Sequence, residues 1–364
     1  MTDHFKAQCH PLLIGSLPLK DHHKAFELVL QYTSSIPLWV QLPAIHDELM
    51  VAQFAPGMPG LRIEDGRIII DRNASHYPTE LAAFYEEYLS VAEGAADLDE
   101  SRFVLDDARA RGFTTMMERL RDGACSPLAV KGQVTGPITF CTGVHDEQNA
   151  AIFYDEQLRD AGVKLLAMKA RWQIRRLSAF KRPVMIFCDE PALAGYGTSE
   201  FISISREDIL TCLREVVEAI HDEGGLAGVH VCANTDWSLV LDTAADIISF
   251  DAYEYFDRFA LYREQIVRFM DAGNILAWGI VPTHNDETVS RETAKSLLEQ
   301  WHAKAGVLEQ MGIKRSTIRD QSLITPSCGA GSLSPESAIK VLQLTREVSD
   351  QLRKTFGKGD RNGN

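Results

Sequence analysis

An imidazole and a thiol stand two residues apart in His230-Val231-Cys232, at the end of the apolar run Ala227–Val231. On extended backbone that spacing points both side chains the same way, as two ligands of one ion require. A second thiol, Cys328, lies in the turn Pro326-Ser327-Cys328-Gly329 after another apolar run. Soft thiolates with imidazole favour zinc in a roughly tetrahedral site, with the fourth position taken by a carboxylate or left open. Asp251, after the next run along, is the natural candidate for that position. The other cysteines read differently. Cys141, Cys188 and Cys212 sit in apolar surroundings as packing residues, and Cys9 and Cys125 in ambiguous ones. Seven cysteines, an odd number in 364 residues, fit reduced thiols better than a disulfide framework.

Further polar groups follow other runs. In Asp189-Glu190-Pro191, either acid could serve a salt bridge, or Asp189 could contact a substrate amino group while Glu190 is structural. Ser16, after Gly15, either holds a substrate carboxylate or caps the next helix. His284 is either a proton carrier near the metal or a solvated loop histidine. His22 and His23 read as a surface helix start, and Trp237 as a packing residue.

The elements that must position these groups alternate. Strands are expected near Leu12–Gly15, Pro37–Leu42, Leu128–Val134, Pro183–Cys188, Ala227–Val231, Asp246–Phe250, Ile275–Ile280 and Ser322–Thr325. Amphipathic helices lie between them, among them Glu207–Asp222, Arg291–Gln310 and Pro335–Lys354, with apolar residues at i, i+3 and i+4. Eight buried strands alternating with helices make an α/β fold of the (β/α)8 TIM-barrel type. Gly60–Asn73, with Asp65-Gly66 between two apolar triplets, reads as a β-hairpin insertion. Ala82–Cys125 reads as extra helices in the N-terminal third. A single barrel domain is expected over residues 1–356, with a flexible tail over 357–364. In such a barrel the loops after the strands build the active site. The polar residues named above therefore converge at one mouth.

Composition excludes some classes. A net charge of −14 argues against a nucleic-acid or anionic-membrane surface, since both require basic patches. No run reaches about 18 apolar residues, the length of a membrane span, and residues 1–20 hold no signal-type apolar stretch. The expectation is a cytoplasmic protein.

The motifs resemble the catalytic barrel of the cobalamin-independent methionine synthase family, within the uroporphyrinogen decarboxylase superfamily. The matching pieces are Ile14-Gly15-Ser16-Leu17-Pro18, Val134-Thr135-Gly136-Pro137, Asp189-Glu190-Pro191-Ala192-Leu193, His230-Val231-Cys232, Ile247–Ala252 and Pro326-Ser327-Cys328-Gly329. They fall in family order and span nearly the whole chain. The resemblance implies that His230, Cys232 and Cys328 ligate zinc. It implies that Asp189 and the Ile14–Ser16 segment hold the amino-acid end of homocysteine. Glu48 matches another substrate-binding acid, and His284 falls near a family histidine that handles protons.

Two departures matter. The family has Glu where this chain has Asp251, one methylene shorter. Folate-using members carry two tandem barrels, and this chain has room for one. The resemblance therefore implies a methyl donor of the corrinoid kind, methylcobalamin or a corrinoid carrier protein, with homocysteine as acceptor. The chemistry would need no protein nucleophile, because zinc replaces the proton of a thiol that is otherwise a poor nucleophile at neutral pH. Alternatives share the fold and differ at the site: a methyltransferase acting on coenzyme M or another small thiol, a non-catalytic zinc- or corrinoid-handling protein, and a porphyrin decarboxylase. The last would need basic residues for several carboxylates, and the segment from Gly15 to Asp21 lacks an arginine cluster.

Overall fold

Short runs rich in branched apolar residues become strands in the computed structural model, which describes residues 5–64, 66–198, 201 and 203–359. In chain order the strands are β1 (His10–Pro11), β2 (Leu61–Glu64), β3 (Arg67–Ile70), β4 (Val130–Thr135), β5 (His145–Asp146), β6 (Val184–Asp189), β7 (Leu226–Val231), β8 (Ile247–Phe250), β9 (Ile275–Val281) and β10 (Ser322–Pro326). Seven of them form one parallel, curled sheet in the order β1-β10-β9-β8-β7-β6-β4. Parallel neighbours require crossovers. Helices supply them: Glu156–Leu177 between β4 and β6, Arg206–Asp222 between β6 and β7, and Ala294–Gln310 between β9 and β10.

Alternation along the strands splits the core in two. Val184, Ile186 and Cys188 of β6, and Leu276 and Trp278 of β9, join the large cluster. Met185, Phe187, Ile247, Ile275, Ala277 and Leu323 form a second, inner cluster. Side chains two residues apart share a face. The inner parity of β6 therefore continues from Phe187 to Asp189, that of β8 from Ile247 through Ser249 to Asp251, and that of β7 carries His230 and then Cys232. The inner cluster is the floor beneath the polar groups.

Two expected strands take a different form. The first ladder is β1, His10–Pro11, rather than Leu12–Gly15. The segment expected as Pro37–Leu42 makes isolated parallel bridges, Leu38↔Lys131 to β4 and Ser16↔Gln41 to the run after β1. The physical reason is that buried side chains take carbonyls a ladder would use. The Lys131 ammonium donates to the Ile14 carbonyl at 2.5 Å, and the Gln133 amide donates to the Trp39 carbonyl at 3.0 Å. The expected helix Arg291–Gln310 is two helices, Asp286–Arg291 and Ala294–Gln310, because Thr293 starts the second with a capping box to Ser296. The last helix runs Pro335–Gly359, into the segment expected as a tail. Residues 360–364 lie outside the described part.

The insertions fall where expected. β2 and β3 are an antiparallel hairpin with Leu61 opposite Ile70, and β5 adds to β3 in parallel as a separate three-stranded sheet. Gly66 takes the positive φ of 77° that the turn requires; Asp65 lies outside the described residues. The extra helices are Tyr77–Ala92 and Arg111–Arg121. Among the described residues no helix is long and apolar enough to cross a membrane.

Candidate metal centre

β7 carries His230 to the rim of the sheet, opposite Ser249 in the β7–β8 register. His230 Nδ1 lies 2.9 Å from Ser249 Oγ, and both residues are buried. The other ring nitrogen, Nε2, is buried without a hydrogen-bond partner. An orphaned imidazole nitrogen is costly in a protein interior unless something fills its lone pair. Beside it stand two thiols. One donor atom each from His230, Cys232 and Cys328 lies within 4.8 Å of the others, and no second such group occurs among the described residues. Two sulfurs and a nitrogen with its outer side already held are a donor set that fits zinc. With Nε2 as ligand, Nδ1 carries the proton and donates to Ser249 Oγ.

The hydrogen bond from Cys328 holds the Cys232 thiol far below its ordinary range, with help from His230, against the effect of burial. The same hydrogen bond and burial push Cys328 up. All seven cysteines are free, as the odd count suggested.

Cys328 is placed by an interlock between the first and last strand ends. The β9–β10 register shifts between Thr325 and Pro326, an irregularity of the kind that re-aims side chains near sites. The following loop packs on Ser16. Ala330 N–H donates to the Ser16 carbonyl at 3.0 Å, and Gly331 N–H donates to Ser16 Oγ at 3.2 Å. A Cβ at Gly329 would stand 2.2 Å from Ser16 Oγ, so any larger residue there must displace the Ser16 hydroxyl. Ser16 is therefore not a helix cap. Asp21 caps the next helix by accepting from Lys24 N–H at 3.1 Å.

A cavity of about 430 Å³ opens over His230, Cys232 and Cys328. Ile14, Ser16, Glu48 and Asp189 line it as the sequence led one to expect, together with Gln41, Leu49, Met50 and Pro191. Asp189 is buried, and its Oδ1 has no hydrogen-bond partner. Burial raises its pKa, and the Lys131 and His230 charges oppose that rise. Glu48 is buried as well. Its Oε2 accepts from Leu42 N–H at 2.7 Å and its Oε1 lies 2.6 Å from His22 Nε2. His22 is thus no plain surface residue.

Glu190 is structural. It accepts from Ile138 N–H and Thr139 N–H, each at 2.8 Å, and from the Thr139 hydroxyl at 2.6 Å. It thereby holds the start of the helix Pro137–Gly143. Burial, outweighing those hydrogen bonds, pushes its carboxyl up to about 7. Trp237 is fully buried and packs edge-on against Phe250 and Phe259.

Asp251, expected as the fourth ligand, stands outside the three-residue group. Its Oδ1 accepts from Glu254 N–H at 2.9 Å, and its Oδ2 is 3.5 Å from His284 Nε2. The Glu254 turn holds Oδ1, while Oδ2 is buried without a hydrogen-bond partner. Burial pushes it up to about 6. His284 also lies 3.4 Å from Glu254 Oε2 and is one-third exposed. Neither Asp251 nor His284 lines the cavity.

The sequence reading missed Lys131 and Ser249. Lys131 is fully enclosed on β4, 4.5 Å from the Phe187 ring centre, and burial lowers its pKa to about 8. A lysine between Val130 and Gly132 in an apolar run was the available signal.

No family model matches the chain, and no curated protein matches it. Solved structures similar to it include the GH113 β-mannanase AaManA from Alicyclobacillus acidocaldarius in complex with ManMIm, with 11% identity and a TM-score of 0.35 over 68% of this chain and 78% of that one. Another holds the tandem GH20 catalytic modules of the pneumococcal exo-β-D-N-acetylglucosaminidase StrH, with 8% identity and a TM-score of 0.44 over 94% of this chain and 85% of that one. Likenesses this distant carry no argument about this chain.

Proposed function

We propose that this chain is a zinc-dependent thiol methyltransferase that makes methionine from homocysteine, taking the methyl group from methylcobalamin or a corrinoid protein. The observation that carries the reading is the buried His230 Nε2 without a partner, beside two thiols and opening on a cavity. The scaffold in this reading is a closed (β/α)8 barrel, with segment 37–41 as the stave between β4 and the run after β1; the two parallel bridges of that segment support it.

Zinc held by His230, Cys232 and Cys328 would supply the Lewis acidity that lets a substrate thiol lose its proton at neutral pH. The chain's residues do the rest. Three protein ligands leave a position for an incoming sulfur, as in catalytic rather than closed structural sites. Asp189 Oδ1, lacking a partner in the cavity wall, accepts from the substrate ammonium, whose charge adds to that of Lys131 in opposing the effect of burial on the carboxyl. Glu48 presents a second fixed carboxylate. The apolar wall of Ile14, Leu49 and Met50 limits water around the sulfur, and the ordered cavity aligns sulfur with the methyl carbon.

The experiment is methionine formation from homocysteine and methylcobalamin by zinc-loaded protein. Turnover that Cys328→Ser abolishes is the expected result. Zinc-loaded protein that forms no methionine with either free methylcobalamin or a methylated corrinoid protein would refute the reading.

A further inference from the structure

Deprotonating a thiol at the metal centre releases one proton, which needs a route out. If the acceptor is a thiol, a concern that rests on the proposed function, its S–H proton must leave a cavity walled largely by apolar groups. Two carboxylates face that cavity. Asp189 has an oxygen without a hydrogen-bond partner, so no chain leads outward from it. Glu48 does have one. Its side chain is 0% exposed, and its Oε1 meets His22 Nε2 at 2.6 Å.

His22 opens the helix His22–Thr33, and its side chain is 10% exposed. The same ring lines a second depression, on the outer surface, together with Asp21, His23, Asp107, Arg111 and Glu118. Glu48 lines the inner cavity and His22 the outer one. Leu42 N–H fixes the other Glu48 oxygen, so the carboxylate cannot swing away from the ring. Close by, Asp47 and Asp106 are neutralised by Arg109, at 2.8 and 2.7 Å.

We propose that Glu48 and His22 form a two-residue proton path from the metal-centre cavity to the outer depression. The S–H bond breaks, its electron pair stays on sulfur, and the proton forms an O–H bond on Glu48. That O–H bond then breaks as an N–H bond forms on His22 Nε2, and the ring gives a proton to water outside. No oxidant or further reactant is needed. His22 touches no substrate and acts through Glu48.

The test mixes zinc-loaded protein with homocysteine in weak buffer containing a pH indicator and follows proton release by stopped flow. His22→Gln keeps a donor towards Glu48 but cannot carry a proton. The expected result is an unchanged proton yield released at least about tenfold more slowly, with the rate restored by added imidazole. Zinc content and circular dichroism establish that the variant is comparable, and His22→Asn replaces it if it does not fold. Release as fast as in the wild type overturns the proposal. Wild-type protein that releases no proton on meeting homocysteine would instead sink the thiol reading itself.

Discussion

Replacing Ser249 by alanine separates metal binding from folding. Ser249 Oγ is the hydrogen-bond partner of His230 Nδ1, at 2.9 Å, in a spot where Ser249 is 0% exposed. In the metal-free protein a neutral imidazole can move its proton to Nε2, on the side where the Cys232 thiol, held low partly by His230, can accept it, so losing the hydroxyl costs less than with zinc bound. With Nε2 committed to zinc, Nδ1 must carry the proton, and in Ser249→Ala that N–H is buried without an acceptor. An unmet buried donor costs about 1–3 kcal/mol. Loss of such an outer partner of a ligating histidine weakens metal binding roughly 10- to 100-fold, or about 1.4–2.7 kcal/mol. The two routes agree. Titration against a chromophoric zinc chelator reads the affinity, and thermal melts of the metal-free proteins read stability. The expectation is an affinity lower by one to two decades, with the metal-free melting temperature moved by less than about 2 °C. Unchanged affinity, or a loss of stability without zinc as large as that with it, would refute the reasoning.

Three further outcomes follow from the geometry. Asp251→Asn should retain zinc within about threefold of the wild type, since Asp251 lies outside the ligand group, whereas Cys328→Ser should lose it; chelator titration separates them. Gly329→Ala drives a Cβ to 2.2 Å from Ser16 Oγ and should cost about 1–3 kcal/mol in denaturant unfolding; Ser16→Ala in the same chain should return part of it, because the next nearest atoms are 3.3 Å away. Glu190 titrates near 7 when folded, above the usual 4.5. The sign follows: its stabilising share is complete below about pH 4.5 and is lost as pH rises through about 7, by up to about 3 kcal/mol. Unfolding of wild type and Glu190→Gln between pH 4.5 and 8 should show that slope in the wild type and a flatter one in the variant.

Sequence patterning carried the alternation of strands and helices, because buried parallel strands write themselves as apolar runs with polar residues at their ends. Spacing alone placed His230 and Cys232 together, and the structure brings Cys328 to them. What the sequence could not convey was the use of each polar group once packed. Ser16 spends its hydroxyl on the Cys328 loop, Asp251 turns to Glu254 and His284, and Glu190 anchors a helix start. These choices depend on which segments meet in the fold, as Ser16 meets Gly331 and Glu190 meets Ile138 and Thr139. Ser249 and Lys131 stood out as polar residues inside apolar runs, but only the strand register shows what each of them faces. The strands at Leu12–Gly15 and Pro37–Leu42 went astray because Lys131 and Gln133 take the carbonyls a regular ladder would use.

The central claim is that His230, Cys232 and Cys328 hold a zinc ion at a position an incoming thiol can reach. X-ray absorption at the zinc edge, with and without homocysteine, tests it most directly. The account predicts one zinc per chain with two sulfur ligands near the usual ~2.3 Å, and a third sulfur when homocysteine is added. A sulfur count that homocysteine leaves unchanged would contradict it.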